Sequence, residues 1–292
     1  MNMESSPNVV QESENKSLFG VIVHSFFIVP FLIAVFSVLL YMSVRILTME
    51  NRTVYDYLED VKIGGMTKRW QSAFELSKIL ANSKMVPNDE RFKSEMISVF
   101  EKSKDDDPRV RQYLALAMGR TGNQDFVPTL IKSATNEKDE NLTAIVYSLG
   151  ILKNIQAVDN LLPYLKSDDA RLRLVTTMAL GNIGGPKVLS ELKVLLNDTE
   201  PNVQWESAVA LARNGDATAS GLIVKLLDRN YLSQFPNVDP EEQTHVMIVT
   251  IDSSVHIMNN EITAKLTDLF KNDKNMKVRD AAFRALEKIK KT

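Results

Sequence analysis

The sequence predicts an all-α protein in which stacked helical hairpins form a solenoid behind one N-terminal transmembrane helix. The first observation is a repeat: Gly119, Gly150 and Gly181 lie 31 residues apart, and Ala212 takes the equivalent place one period later. A fixed period of this length is typical of a helical hairpin that has been copied and stacked. The second observation is a run of 27 residues, 18–44, without Asp, Glu, Lys or Arg. Together they predict about six hairpins and a terminal helix after a membrane anchor.

The composition fits a folded protein with a sizeable core, because 44% of the residues are hydrophobic and 25% are charged. A formal net charge of −2 provides no excess of cations to attract nucleic acid over a wide surface. Cysteine is absent, which excludes disulfides, thiolate nucleophiles and cysteine-based metal sites.

The uncharged run 18–44 is longer than membrane crossing requires, because about 20 apolar residues cover ~30 Å of hydrocarbon. A cleaved signal peptide is the alternative, but its apolar region usually has about 7–15 residues and ends in small side chains. This run ends near Tyr41, Met42 and Ser43 instead. We therefore expect it to be a retained single-pass anchor.

The charges on either side of the run predict its orientation. Lys16 is the only Lys or Arg before it, whereas Arg45, Arg52 and Lys62 follow it. Because positive residues concentrate on the cytoplasmic side, the chain after the anchor is expected in the cytoplasm. Residues 1–17 carry few apolar side chains and are predicted to form a disordered tail on the opposite side.

The segment 45–66 is predicted as a juxtamembrane helix that ends in a Gly-Gly linker. Thr53 followed by Asp56 three residues later has the pattern of a capping box at a helix start. Gly64 and Gly65 then interrupt the helical pattern and predict a bend before the solenoid.

The solenoid is predicted to occupy residues 67–292, with a first helix pair at about 67–82 and 89–102. The first helices of the four regular hairpins are predicted at Pro108–Arg120, Asp139–Leu152, Ala170–Ile183 and Pro201–Arg213. Their second helices are predicted near Asp125–Ala134, Ala157–Lys166, Lys187–Leu196 and Ala217–Leu227.

The regular period breaks after the fourth hairpin. The segment VRDAAFRALE at Val278 matches VRQYLALAMG at Val110, but it lies too far along the chain for a whole number of periods. We interpret the excess as an inserted loop at 229–239. Three helices are then predicted, at Pro240–Asn259, Ile262–Lys271 and Met276–Lys290.

Three of the repeated segments, PRVRQYLALAMGRTG, ARLRLVTTMALGNIGG and KVRDAAFRALEKI, resemble the short HEAT-like repeats of phycobilin lyases. The resemblance covers roughly residues 107–291 and extends weakly back to Thr67. It implies an armadillo-like HEAT α-solenoid with a right-handed superhelical stack, used mostly as a scaffold, and a bacterial source. The pattern is specific for the fold and carries little information about function.

Three copies carry an arginine just after the first core position: Arg111, Arg173 and Arg279. The two middle copies that begin at Asn141 and Val203 lack it. We expect these arginines to connect neighbouring repeats, with acids such as Asp107 and Asp169, rather than to hold a ligand.

A count of 100° per residue identifies the outward face of each first helix. In the first copy the predicted core arc holds Val110, Leu114, Ala117 and Met118. Positions two and six, counted from Val110 as zero, lie opposite this arc. Across the copies they carry a row of apolar residues: Leu116, Tyr147, Leu174, Met178, Trp205 and Val209. Such a stripe predicts a partner-binding surface, and the alternatives are a cover from elsewhere in the chain or an ordinary surface.

The inserted loop is a second candidate for partner binding. It holds two aromatic residues, Tyr231 and Phe235. A loop inserted on one face of a solenoid often carries recognition. The alternative is that both aromatic side chains fold back and fill the neighbouring groove.

Candidate chemistry is sparse. His245 and His256 share a helix face but lie ~16 Å apart along it, so one metal ion cannot bind both. Asp252 and His256 are spaced for chelation but lack a third ligand. No glycine-bracketed serine forms a nucleophile elbow, and no carboxylate pair stands out as acid and base. We therefore predict no catalytic residue, metal site, cofactor or small-molecule substrate.

The predicted function is that of a membrane-anchored scaffold for protein–protein interaction, not an enzyme. The anchor is expected in the cell inner membrane, and the cytoplasmic solenoid is expected to dock a membrane-associated protein partner. Nucleic acid is not an expected partner. The alternatives are an accessory subunit of a membrane complex that packs through its anchor, and an enzyme resembling phycobilin lyases.

Overall fold

The computed structural model describes residues 24–48 and 52–290. All regular structure in these two ranges is helical, which confirms the all-α solenoid. The chain forms two compact units, one that ends at Arg52 and one that begins at Thr53.

The N-terminal unit contains one long helix. A π-helical turn, His24–Ile28, leads into α1 (Val29–Thr48). The 21-residue stretch Phe26–Ile46 is long and apolar enough to cross a membrane. The predicted tail at 1–17 and the first residues of the predicted anchor, 18–23, lie outside the described residues.

The second unit begins with three helices and continues with the regular hairpins. The first three are α2 (Val54–Ile63), α3 (Met66–Ile79) and α4 (Glu90–Lys102). The hairpins are α5 (Pro108–Arg120) with α6 (Val127–Ala134), α7 (Asp139–Leu152) with α8 (Val158–Leu161), α9 (Ala170–Ile183) with α10 (Pro186–Leu195), and α11 (Pro201–Arg213) with α12 (Ser220–Leu226). The unit ends with α13 (Arg229–Leu232), α14 (Pro240–Ser254), α15 (Asn260–Asn272) and α16 (Met276–Lys290).

Local signals place the helix starts. The Asp107 side chain accepts a hydrogen bond from the Arg109 amide, and Pro108 occupies the first helical turn of α5. Asp239 accepts bonds from two amides at the start of α14. The four first helices have the predicted bounds, whereas α14 ends at Ser254, before the predicted Asn259. The segment predicted as a loop at 229–239 contains the short helix α13.

The first helices stack in series as α3, α5, α7, α9, α11, α14 and α16, and the second helices pack onto them. Helix α2 packs against α3 and α4, with Val54, Leu58 and Val61 buried. The segment predicted as a juxtamembrane connection therefore adds a helix to the packed unit. Thr53 and Asp56 form the predicted capping box at its start.

The repeated glycines lie where consecutive first helices touch. A Cβ at Gly150 would lie 2.5 Å from the Ala179 Cα, and one at Gly119 would lie 2.8 Å from the Ser148 Cα. These distances are far below ordinary contact, so only glycine fits without a shift of the backbone. On the next first helix, the contact residue is the small one two positions before the repeated glycine, and its size allows the two helices to approach closely.

Two of the three arginines connect neighbouring repeats, as predicted, but with other acids. The third, Arg279, donates to the Asp273 carbonyl in the loop before its own helix. Arg111 is buried, and its Nε donates to Glu137 Oε1 at 2.5 Å while Nη1 donates to the Phe100 carbonyl at 2.6 Å. Arg173 donates two hydrogen bonds to Asp198, at 2.9 and 2.8 Å. These bonds hold the pKa of the Asp198 carboxyl below its usual range.

The acids named from the sequence have local roles instead. Asp107 pairs with Arg109, and Asp169 accepts a hydrogen bond from the Arg171 amide at the start of α9. The expectation that Asp107 and Asp169 join neighbouring repeats is therefore wrong. The bridging acids lie in the loop before the following first helix, within reach of a long side chain from the preceding repeat.

Candidate partner-docking groove

The residues of the predicted apolar stripe differ in solvent exposure along the solenoid. Tyr147 is 39% exposed, and Leu116, Leu174 and Met178 are half-buried. Trp205 and Val209 are only 4% and 3% exposed. The expectation that these two face solvent is therefore wrong.

Trp205 is covered by the inserted segment, which was one of the alternatives. The Phe235 ring meets the Trp205 ring edge to face, with centroids 4.8 Å apart. Tyr231 completes the cluster, with its ring centroid 5.3 Å from that of Phe235. Of the two alternatives for the inserted loop, the structure shows the one in which Tyr231 and Phe235 fold back onto the solenoid. As partner-binding residues, Tyr231, Phe235, Leu116 and Tyr147 stay predictions.

The insertion also changes how the next first helix packs. Ala212 carries a Cβ at the position where earlier copies have glycine, and 229–239 adds chain before α14. Helix α14 packs less closely on α11 than the preceding first helices pack on one another. A groove therefore opens between α9, α11 and α14.

This groove has a volume of about 200 Å³ and mostly apolar walls. Its apolar lining consists of Leu174, Met178, Trp205, Val209, Val246 and Val249. Its polar lining consists of Asn202, Glu206, Glu242 and His245. Four members of the predicted stripe thus meet in one site, together with groups from α14 that lie outside the predicted stripe.

Glu206 is the unusual group in the groove. It is half-buried, and none of the hydrogen bonds and ion pairs within residues 24–48 and 52–290 involves its carboxylate. Burial raises the pKa of Glu206 to about 7, and the positive charge of Arg213 opposes this shift. A carboxylate that loses water without gaining a partner is costly to ionise.

The sequence contained a signal for Glu206 that was missed. At position three the other copies carry Tyr113, Ala144, Val175 and Ala281, so a glutamate there departs from an apolar pattern. Val246 and Val249 had no comparable signal, because nothing in the spacing shows how α14 approaches α11.

We expect Glu206→Gln to make the protein more stable at pH 8 than the wild type, by about 2–3 kcal/mol. The folded carboxyl has a pKa near 7 and the unfolded one about 4.3, so the folded state binds more protons between these values. Wild-type stability therefore falls as the pH rises from about 4.5 to 7, relative to the glutamine variant.

Denaturant unfolding of both full-length chains at several pH values, followed by circular dichroism, measures this difference. The two unfolding free energies should converge below pH 4.5. A constant offset between the variants at all pH values would contradict the assigned burial of the carboxylate.

Other concave sites are occupied by internal pairs. A cavity of about 580 Å³ near the loops at 83–90 and 121–125 is lined mainly by polar groups. There Lys93 Nζ lies 2.7 Å from Asp125 Oδ2, and the Tyr55 hydroxyl donates to Asp89 at 2.7 Å. In the described part of the chain, no cluster of three or more His, Asp or Glu side chains could hold a metal ion.

Comparison with known proteins supports the fold. The model of a family described as HEAT repeats matches residues 97–180 and 158–232. The complex of CpcE and CpcF of phycocyanin lyase from Nostoc sp. PCC7120 is similar with a TM-score of 0.56 and 16% identity, over 83% of this chain and 96% of that one. The archaeal HEAT-like repeats protein from Thermococcus onnurineus NA1 has a TM-score of 0.45 and 15% identity, over 83% and 99%. No curated protein matches the chain.

Proposed function

We propose that this chain, a protein of HEAT-like repeats, is a membrane-anchored scaffold that docks a partner protein in the groove between α9, α11 and α14. The observation that carries the proposal is the groove itself. It joins six apolar side chains to a carboxylate without a partner in the described residues. A concave apolar surface with a few polar groups is the kind of site that other molecules fill.

The apolar N-terminal helix supports a role at a membrane. The stretch Phe26–Ile46 has the length and composition of a single span. Arg45, Arg52 and Lys62 follow it, which favours a cytoplasmic solenoid. The resemblance to phycobilin-lyase repeats implies that the membrane is the inner membrane of a bacterial cell. An anchor confines the solenoid near the bilayer and raises its effective concentration for membrane-associated partners.

Catalysis is not part of the proposal. The lyase named among the similar structures shares 16% identity with this chain, and a likeness at that level concerns the fold alone. HEAT-like solenoids act mainly through extended surfaces that bind other macromolecules.

The docking function is tested with two valine-to-lysine variants of the full-length chain. Val249→Lys places a long charged side chain inside the groove, whereas Val194→Lys changes a residue of α10 that is 66% exposed. Cells are cross-linked, and membranes are washed with carbonate to remove peripheral proteins. After solubilisation, the chain is purified and the co-eluting proteins are quantified. We expect at least about tenfold lower partner recovery for Val249→Lys, because a buried charge opposes docking, and no change for Val194→Lys.

Equal partner recovery from both variants would count against the groove. That result would favour an accessory subunit that packs through its anchor. Release of the wild-type chain by the carbonate wash would contradict the proposed span. Circular dichroism of each purified variant establishes that helix content is retained.

A further inference from the structure

The polar lining of the groove is mainly acidic. Its lining contains two carboxylates, Glu206 and Glu242, and the imidazole of His245, but no Lys or Arg among the described residues. The nearby cation Arg213 is engaged elsewhere, because its Nη1 donates to Asn182 Oδ1 at 2.9 Å. The described residues therefore provide Glu206 with the opposing charge of Arg213 but with no contact partner.

We propose that the groove is a socket for one long cationic side chain, a lysine or an arginine, presented by the partner protein. This inference rests on the docking function proposed above and specifies the chemistry of the occupant. The cationic head would pair with Glu206, and the aliphatic stem would lie along the apolar walls.

The walls suit the stem of such a side chain. Met178, Val246 and Val249 are half-buried and line the groove together with Leu174. Lysine and arginine bury their methylene stems on apolar surfaces while their charged ends seek polar groups. A volume of about 200 Å³ suits one long side chain rather than a helix.

The carboxylate of Glu206 suits the cationic head of such a side chain. A cation placed beside Glu206 would gain a charge-assisted hydrogen bond with a half-buried carboxylate that has no other partner. The raised pKa of Glu206, near 7, agrees with a carboxylate that lacks its counter-charge in the free protein. An anionic or purely apolar occupant would leave this carboxylate unpaired.

The test uses side-chain mimics as probes. The chain has two tryptophans, and Trp70 lies under the Arg109 guanidinium outside the groove lining. In a Trp70→Phe background, fluorescence therefore reports on Trp205 alone. The full-length chain in lipid nanodiscs is titrated at pH 8 with n-butylammonium, n-propylguanidinium, n-butanol and butyrate. Ionic strength is held constant throughout.

We expect at least one of the two cations to bind tenfold or more tightly than n-butanol, and butyrate to bind most weakly. Comparison of the two cations separates a lysine socket from an arginine socket. Glu206→Gln should remove the preference for the cation, whereas Glu261→Gln, at an exposed site on α15, should keep it. Val249→Lys should abolish binding of every probe by filling the groove.

Equal affinities for the cations and n-butanol in the wild type would overturn the inference. A cation preference that survives Glu206→Gln would also overturn it. In either case the docking function would still be judged separately by partner recovery with Val249→Lys and Val194→Lys.

Discussion

Replacement of Arg111 by leucine is expected to lower the free energy of unfolding by about 3–5 kcal/mol. The guanidinium bonds to Glu137 and to the Phe100 carbonyl, and it also lies 4.2 Å from the centre of the Phe100 ring. Both ends of the ion pair are nearly inaccessible to solvent, with side-chain exposures of 5% and 9%. The leucine variant would leave the Glu137 carboxylate buried without its partner. The loss of that partner, rather than the loss of a surface charge, makes the effect large.

Arg284→Leu is the matched control for this prediction. Arg284 pairs with Asp280 four residues earlier on the same helix, and both side chains are about 60% exposed. Such exposed helical pairs contribute about 0.5 kcal/mol or less. Urea unfolding of the full-length chains in detergent, followed by circular dichroism, measures both changes. Similar losses for Arg111→Leu and Arg284→Leu would show that Arg111 does not form a buried connection between repeats.

Gly150→Ala is expected to destabilise the solenoid by about 1–3 kcal/mol, although alanine is the better helix former by about 1 kcal/mol. The new methyl group would lie 2.5 Å from the Ala179 Cα and 2.7 Å from its Cβ. Since the obstacle is backbone rather than a flexible side chain, α7 and α9 would have to move apart. The cost of that displacement exceeds the gain in helix propensity.

We expect Gly221→Ala to change stability in the opposite direction from Gly150→Ala. Gly221 lies in α12, and a Cβ built there has no other heavy atom within 4 Å. The substitution should therefore stabilise the protein by up to about 1 kcal/mol. The same unfolding measurement compares the two variants. A stabilising Gly150→Ala would mean that the 31-residue glycine repeat has no role in helix packing.

The solenoid could be predicted in detail because its information is local and repeated. Asp107 and Pro108 mark a helix start from neighbouring residues alone, and the same pattern of apolar positions recurs in each copy. Each repeat contacts mainly its neighbours, so a prediction for one hairpin transfers to the next. The arginine connections were also predictable in kind. The acids that pair with these arginines could not be predicted. Glu137 lies close to Arg111 only because two repeats stack on each other.

The candidate site was predictable only in part. Leu174 and Met178 on α9 occupy the same repeat positions as Trp205 and Val209 on α11, and the structure brings all four to one groove. The spacing could not show that Phe235 covers Trp205, because the path of an inserted segment depends on distant contacts. Nor could it show the desolvation of Glu206.

Local preferences and a repeated pattern encode the helices, their order, the 31-residue stack and one apolar span, so these features could be predicted without the structure. Contacts between distant parts of the chain establish three further features. Helix α14 packs loosely on α11, the aromatic insertion covers Trp205, and the half-buried carboxylate of Glu206 lines the remaining groove. Burial and ion pairing depend on which surfaces come into contact. Residues far apart in the chain determine these contacts, and the 31-residue period does not encode contacts of this kind.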